Sequence, residues 1–182
     1  KEWDLGAPVR MSADFSRRTQ AKRIEGWFGA TSAQCGQSVA LHLVGGSKES
    51  ETTISIYRMG YYGGARARLV AVEKISDILW KFKVNENTPP GQYLFRLDAP
   101  GHRTSFVPLV IRDDKSKSPI TFISSVFTWQ AYNQWGGSSL YKGPDAKRES
   151  KAATVTFDRP YDGDGSGQFR YMEFPALYLA ER

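Results

Sequence analysis

Residues 127–141 read FTWQAYNQWGGSSLY, fifteen positions with two Trp, two Tyr, an Asn, two Gln and a Gly pair, and no Asp, Glu, Lys or Arg among them. Tyr132 and Asn133 carry the chemistry this stretch offers. A phenolate is a hard anionic donor that suits ferric iron, and a bound metal overcomes the ordinary phenol pKa of about 10. A Lewis-acidic metal held there would polarise a bound carbonyl or generate hydroxide from water. Asn133, with Gln130 and Ser138, has the amide and hydroxyl groups to orient a substrate amide. A plainer reading stands beside this one. Tyr132 is then a buried aromatic whose hydroxyl satisfies a backbone group, and the polar side chains brace the turn at Gly136 and Gly137.

A second constellation lies downstream, where residues 162–173 read DGDGSGQFRYME. Asp162, Asp164, Ser166, Gly167 and Glu173 fall at positions 1, 3, 5, 6 and 12, the spacing of a calcium loop that gathers oxygens on a tight turn. The preceding residues 158–161, DRPY, do not make a helix, so the loop is not an EF-hand, and a plain Gly/Asp turn is the alternative. His42 on the polar face of a strand and His102 in a Pro-Gly turn are too far apart in sequence to read as a metal pair. Cys35 reads as a turn thiol, because nothing near it in sequence supplies a base.

The elements that must position these residues follow from periodicity. Val39, Leu41 and Leu43 alternate with polar neighbours, as do Ile54 and Ile56, then Tyr93, Phe95 and Leu97, then Val107, Leu109 and Ile111; Ile78, Trp80, Phe82 and Val84 share one face of a further strand. Short strands with turn signals between them and no amphipathic helix predict an antiparallel β-sandwich over residues 23–112, of immunoglobulin-like or fibronectin-like length. Pro108 marks its run as an edge strand. Residues 60–64, GYYGG, predict a hairpin with packed tyrosines or an exposed aromatic binding platform. Residues 1–22 read as an extended arm, and 113–119, DDKSKSP, as a linker.

Beyond the linker, the β-branched run ITFISSV at 120–126 predicts a buried strand opening an α/β segment over 120–182, with the aromatic stretch at its C-terminal end, where open α/β sheets place ligands. A second strand is predicted at 152–157 and a helix at 172–182, with Pro175 tolerable in its first turn. One or two strands and one helix do not close a parallel sheet, which needs neighbours and cover on both faces. The expected partner is therefore the remaining polypeptide, or a second subunit, packing on residues 120–182.

The formal charge of +6 is scattered, and each cationic cluster has acidic neighbours or lies in a loop. No recognition helix or aromatic-basic ribonucleoprotein pattern appears, so nucleic acid is not an expected partner. No run of 18 apolar residues is present, so no transmembrane helix is expected. A soluble protein follows, cytoplasmic or secreted after signal removal. The single cysteine excludes an intrachain disulfide and a cysteine-rich metal site.

Three segments together resemble a known family. They are IEGWFGATS at 24–32 with GQSV at 36–39, IYRMGYYGG at 56–64, and TWQAYN at 128–133 with WGGSSLY at 135–141, followed by FDRPY at 157–161. The chain is similar, over residues 24–182, to the N,N-dimethylformamidase large (beta) subunit family. The resemblance implies a mainly β chain, a sandwich followed by the first part of an α/β domain similar to glutamine amidotransferases. It also implies hydrolysis of a small linear amide through one iron held by two tyrosines and a glutamate. Tyr132 matches one ligand tyrosine. The second belongs in a Glu-Tyr-Pro motif, where this chain reads Glu173, Phe174 and Pro175, leaving Tyr171 or Tyr178 as substitutes; the glutamate is expected beyond Arg182. The function so implied is the N-terminal portion of an amide hydrolase whose metal site is completed by polypeptide outside this chain. The rival is a non-catalytic β-sandwich module that binds a carbohydrate or protein.

Overall fold

The computed structural model describes residues 22–45 and 51–182. All but one residue of the arm read at 1–22 lies outside the described residues. Alternating apolar residues build eight strands there: β1 (Glu25–Phe28), β2 (Ser32–Gln34), β3 (Ser38–Val44), β4 (Thr52–Met59), β5 (Ala67–Ile75), β6 (Leu79–Lys83), β7 (Gly91–Asp98) and β8 (Ser105–Arg112). They form a three-stranded sheet in the order β1-β3-β6 and a five-stranded sheet in the order β2-β8-β7-β4-β5. The two sheets face one another across a core of Leu41, Ile54, Ile56, Phe82, Tyr93, Phe95, Leu97 and Leu109, among others. The predicted alternation thus holds in β3, β4, β7 and β8. Strand β5 has no counterpart in the sequence reading, because its exposed pattern with Arg68, Glu73 and Lys74 is that of a charged sheet edge.

Pro108 does not lie on the outermost strand, since β2 pairs with β8 in parallel from Val110 to Arg112. The amides of Phe106 and Val110 point away from β7, to Asp164 O at 2.7 Å and Thr31 O at 3.2 Å. Residue 108 would aim an N–H the same way, into the gap between these contacts, and proline has none to leave unpaired.

The five-stranded sheet has a second apolar face. Met59, Ala67, Leu94 and Phe106 point away from the sandwich core and pack with Trp129, Phe169 and Leu177. Those last three come from α1 (Val126–Tyr132), a π-helical turn at Phe169–Glu173 and α2 (Phe174–Ala180). The C-terminal stretch therefore forms a third layer on the sheet. The predicted helix at 172–182 is present and begins a turn earlier, with Pro175 in the first turn of α2. Arg58 on β4 fastens this layer, donating to Glu181 at 2.8 and 3.1 Å and to the Tyr62 hydroxyl at 2.7 Å, while Tyr61 meets Tyr178 edge to face at 5.2 Å. Residues 60–64 thus form the β4–β5 connection, with Tyr62 buried.

Two predicted strands are not formed. Residues 120–124 carry no ladder and Val126 begins α1; residues 152–157 are irregular. Among the described residues neither run has a neighbouring strand, and a β-rich sequence without a partner leaves its backbone groups to water. Ile120 and Ile123 are 76% and 81% exposed.

The loop at 162–167 is pressed on the sheet. A Cβ on Gly165 would fall 2.0 Å from the carbonyl oxygen of Phe106, whereas one on Gly163 would meet nothing within 4 Å, and both residues have positive φ. Gly163→Ala is expected to cost about 1 kcal/mol for the left-handed backbone alone. Gly165→Ala must also push β8 aside and is expected to cost roughly 2–4 kcal/mol. Urea midpoints of the two variants compared with the parent measure the difference.

Candidate functional site around Tyr132

Trp129 anchors α1 on the sheet, edge to face with Tyr161 at 5.9 Å and Phe169 at 6.4 Å. With Trp129 inward, a helix places Phe127 and Thr128 outward, and Tyr132 is the last residue of the helix. Tyr132 is 50% exposed and stacks on Tyr141 with ring centres 4.3 Å apart and an 18° interplanar angle. The loop that carries Tyr141 returns to the helix through Leu140 N donating to Ala131 O at 3.1 Å.

Asn133 is fully buried. Its Nδ2 donates to Gln130 Oε1 at 2.9 Å and Pro160 O at 2.8 Å, and its Oδ1 accepts from Trp135 N at 3.0 Å and Asp162 N at 2.9 Å. Those four bonds use the capacity of a carboxamide. Arg159 lies across the same turn, donating to Gln130 Oε1 and to the carbonyls of Gln130, Asn133, Trp135 and Ser138 at 3.0–3.3 Å. Trp135 Nε1 reaches back to Glu25 Oε2 on β1 at 2.9 Å, tying the turn to the sandwich. The bracing of the glycine turn is done here by the side chains of Asn133 and Gln130, while Ser138 contributes only its backbone carbonyl; Tyr132 stays outside that network. Arg159 and Glu25 were not singled out from the sequence, because neither belongs to a spacing that signals a site.

The calcium candidates are not brought together. Asp162 Oδ2 accepts from Gln134 N at 2.9 Å, at the C-terminal end of α1. Asp164 Oδ1 accepts from Ser166 N and Oγ, and its Oδ2 faces Arg170 at 3.4 Å. Glu173 binds Ser125 N at 2.6 Å and Ser124 Oγ at 2.8 Å, at the N-terminal end of α1. Seven residues of α-helix separate Glu173 from Tyr132 and Asp162 by about 10 Å. Nor do the residues present fit an iron centre by themselves. Phe174 packs between Phe169 and Tyr178, Tyr178 is held by Tyr61, and Tyr171 lies beside Arg170, so among the described residues the phenol beside Tyr132 is the stacked Tyr141 rather than either of them. Among the described residues no three His, Cys, Asp or Glu side chains gather as a metal group.

A family model described as N,N-dimethylformamidase beta subunit-like, C-terminal, matches residues 53–182. The chain belongs to that family. The match takes in β4–β8, the third layer and Tyr132, and its description assigns the matched stretch to the C-terminal part of such a subunit. No curated protein matches the chain. Among solved structures, the Pseudomonas fluorescens alkylpurine DNA glycosylase AlkC bound to DNA containing an abasic site analog is similar at 12% identity and a TM-score of 0.35, over 50% of this chain and 30% of that one, too slight a likeness to carry an argument. No helix of the dimethylformamidase-like chain is long and apolar enough among its described residues to cross a membrane.

Tyr161 lies between the sheet and α1. Burial pushes its phenol up to about 12; the Gln130 hydrogen bond and the Arg159 charge pull it back, and Glu173 adds to the rise. The unfolded chain ionises first, so the neutral phenol's contribution is complete below pH 10 and lost as pH rises toward 12. That lost contribution is about 2–3 kcal/mol at 1.36 kcal/mol per unit. Chemical unfolding of the parent and of Tyr161→Phe from pH 9 to 12 should show the parent losing that much more stability than the variant.

Proposed function

We propose that this chain is part of a dimethylformamidase-like amide hydrolase and that Tyr132 is the functional side chain it contributes, with the remaining ligands of a metal site coming from polypeptide outside it. Family membership supports the hydrolase class. The order β2-β8-β7-β4-β5 over β1-β3-β6, with β2 parallel to β8, supports reading the platform as immunoglobulin-like. The observation that carries the role of Tyr132 is the contrast with its neighbours. Asn133 and Gln130 spend their polar atoms inside the fold, while the Tyr132 phenol is half exposed at the end of a buried-anchored helix. Asn133 on this reading holds the site in shape rather than touching substrate.

The outer side of the third layer supports a covering partner. Ile120, Ile123 and Phe127 are 76–81% exposed, and Phe122, Tyr132, Tyr141 and Phe157 are also open. A groove of about 490 Å3 runs between Thr121–Ser124 and the β2–β8 side of the sheet, floored by Val110, Gln92 and Leu177. Exposed apolar surface on this scale marks an interaction face. A further polypeptide, from the same protein or a companion subunit, fits it better than a small ligand, because the backbone of 121–123 also has no partner among the described residues.

The test uses the native protein. Its metal content is measured by mass spectrometry and its hydrolysis of small linear amides is followed, with Tyr132→Phe alongside. Iron near one per active assembly and a loss of more than about 100-fold in hydrolysis on removing the phenol are expected, since outer partners of metal ligands alone cost 10–100-fold. A protein without metal or amide hydrolysis that binds a carbohydrate or protein through the sandwich would sink the reading.

A further inference from the structure

Arg159 is 8% exposed, and no carboxylate pairs with it among the described residues. Desolvation lowers its pKa while the charges of Asp162 and Tyr161 oppose that effect, and a guanidinium keeps its proton in any case. A desolvated cation held only by neutral oxygens is costly, and such groups earn a place where they fix one conformation.

All five of its N–H groups are used, and each reaches a different oxygen. Nε donates to Gln130 Oε1 at 3.2 Å, Nη2 to the carbonyls of Gln130 and Asn133 at 3.0 and 3.1 Å, and Nη1 to those of Trp135 and Ser138, both at 3.3 Å. The first two carbonyls belong to the end of α1, where helix carbonyls lack partners and a cation is favoured. The other two belong to the loop that climbs through Gly136 and Gly137, both in the left-handed region, toward Tyr141. One rigid fork therefore holds the helix end that carries Tyr132 and the loop that carries Tyr141, without touching either ring. With no donor left over, Arg159 has nothing with which to grip an anionic substrate.

We propose that Arg159 is the positioning residue of the Tyr132 site: it sets the Tyr132–Tyr141 stack and so the direction in which the Tyr132 phenol points. A lysine cannot replace it, because an ammonium is a point charge with three donors and no fork. This inference rests on the reading of Tyr132 as the functional side chain, but its structural half can fail or stand separately.

The test places Arg159→Lys, Arg159→Gln and the milder Gln130→Met, which removes one of the five bonds together with the Asn133 Nδ2 bond to the same oxygen, in the protein with ring-labelled tyrosine. The Tyr132 signal is assigned by its loss in Tyr132→Phe. Stacking displaces that signal by ring current, so both Arg159 variants should bring it back toward the value of a free tyrosine, with Gln130→Met between them and the parent. Amide hydrolysis should fall about 10–100-fold in the Arg159 variants, as for groups that orient a functional ligand. A Tyr132 signal unchanged in all three variants overturns the positioning role, whatever the thermal stability does; should the Arg159 variants not fold, Gln130→Met alone decides it by the same signal. A displaced signal in a protein whose parent shows no amide hydrolysis upholds the positioning role and removes the hydrolase reading instead.

Discussion

The five-stranded sheet is apolar on both faces, and the rest of the structure depends on that. Leu94 between Tyr93 and Phe95, and Phe106 beside Val107, put large side chains on either side of the same strands. A sandwich needs only one buried face; the second must be covered or it becomes an interaction surface. Trp129, Phe169 and Leu177 cover it, which draws α1 and α2 onto the sheet although each is only seven residues long and would be marginal alone. The helices are thus held by what they bury, and the position of Tyr132 follows from the inward side of α1.

The three segments that carry the family resemblance meet at this seam. Glu25 from the first accepts from Trp135 of the third, and Trp27 and Phe28 line a small cavity with Trp129 and Gln130. Arg58 and Tyr61 from the second hold Glu181 and Tyr178 of the C-terminal helix. Gly60 is part of that fastening, since a Cβ there would fall 2.0 Å from Glu181 Oε2. These residues join layers, so their types are set by a contact between distant parts of the chain. Within 127–141 the large side chains left open are Phe127 and the stacked phenols Tyr132 and Tyr141.

The sandwich was legible because a half-buried strand writes its period directly into the chain. Val39, Leu41 and Leu43 all point to the core as their alternation requires. The second face was not read, because Leu94 and Phe106 look like interruptions of an alternating pattern until something is known to lie behind them. The run at 120–126 misled for a related reason. Its β-branched residues satisfy every local criterion for a strand, yet a strand is a relation to a neighbour, and among the described residues no strand stands beside Ile120, Phe122 or Ile123. The aromatic stretch forms α1 and the turn that follows it, against the second face of the sheet. What spacing could not supply was the inside or outside of each residue, so Tyr132 and Asn133, adjacent in sequence, were grouped although one is open and the other fully buried.

That same run also indicates where free energy remains unused. Burying a side chain such as Ile120, Ile123 or Phe127 contributes about 1.5–3 kcal/mol each. Those amides and carbonyls of Thr121, Phe122 and Ile123 that face a neighbouring strand would gain a partner in a ladder, and an unsatisfied buried one would cost about 1–3 kcal/mol. A partner that covered the side chains without pairing the backbone would bury those polar groups at a loss. Only an extended polypeptide that does both recovers the full amount. The physical demand of this run is therefore for an extended segment that covers its side chains and pairs its backbone together.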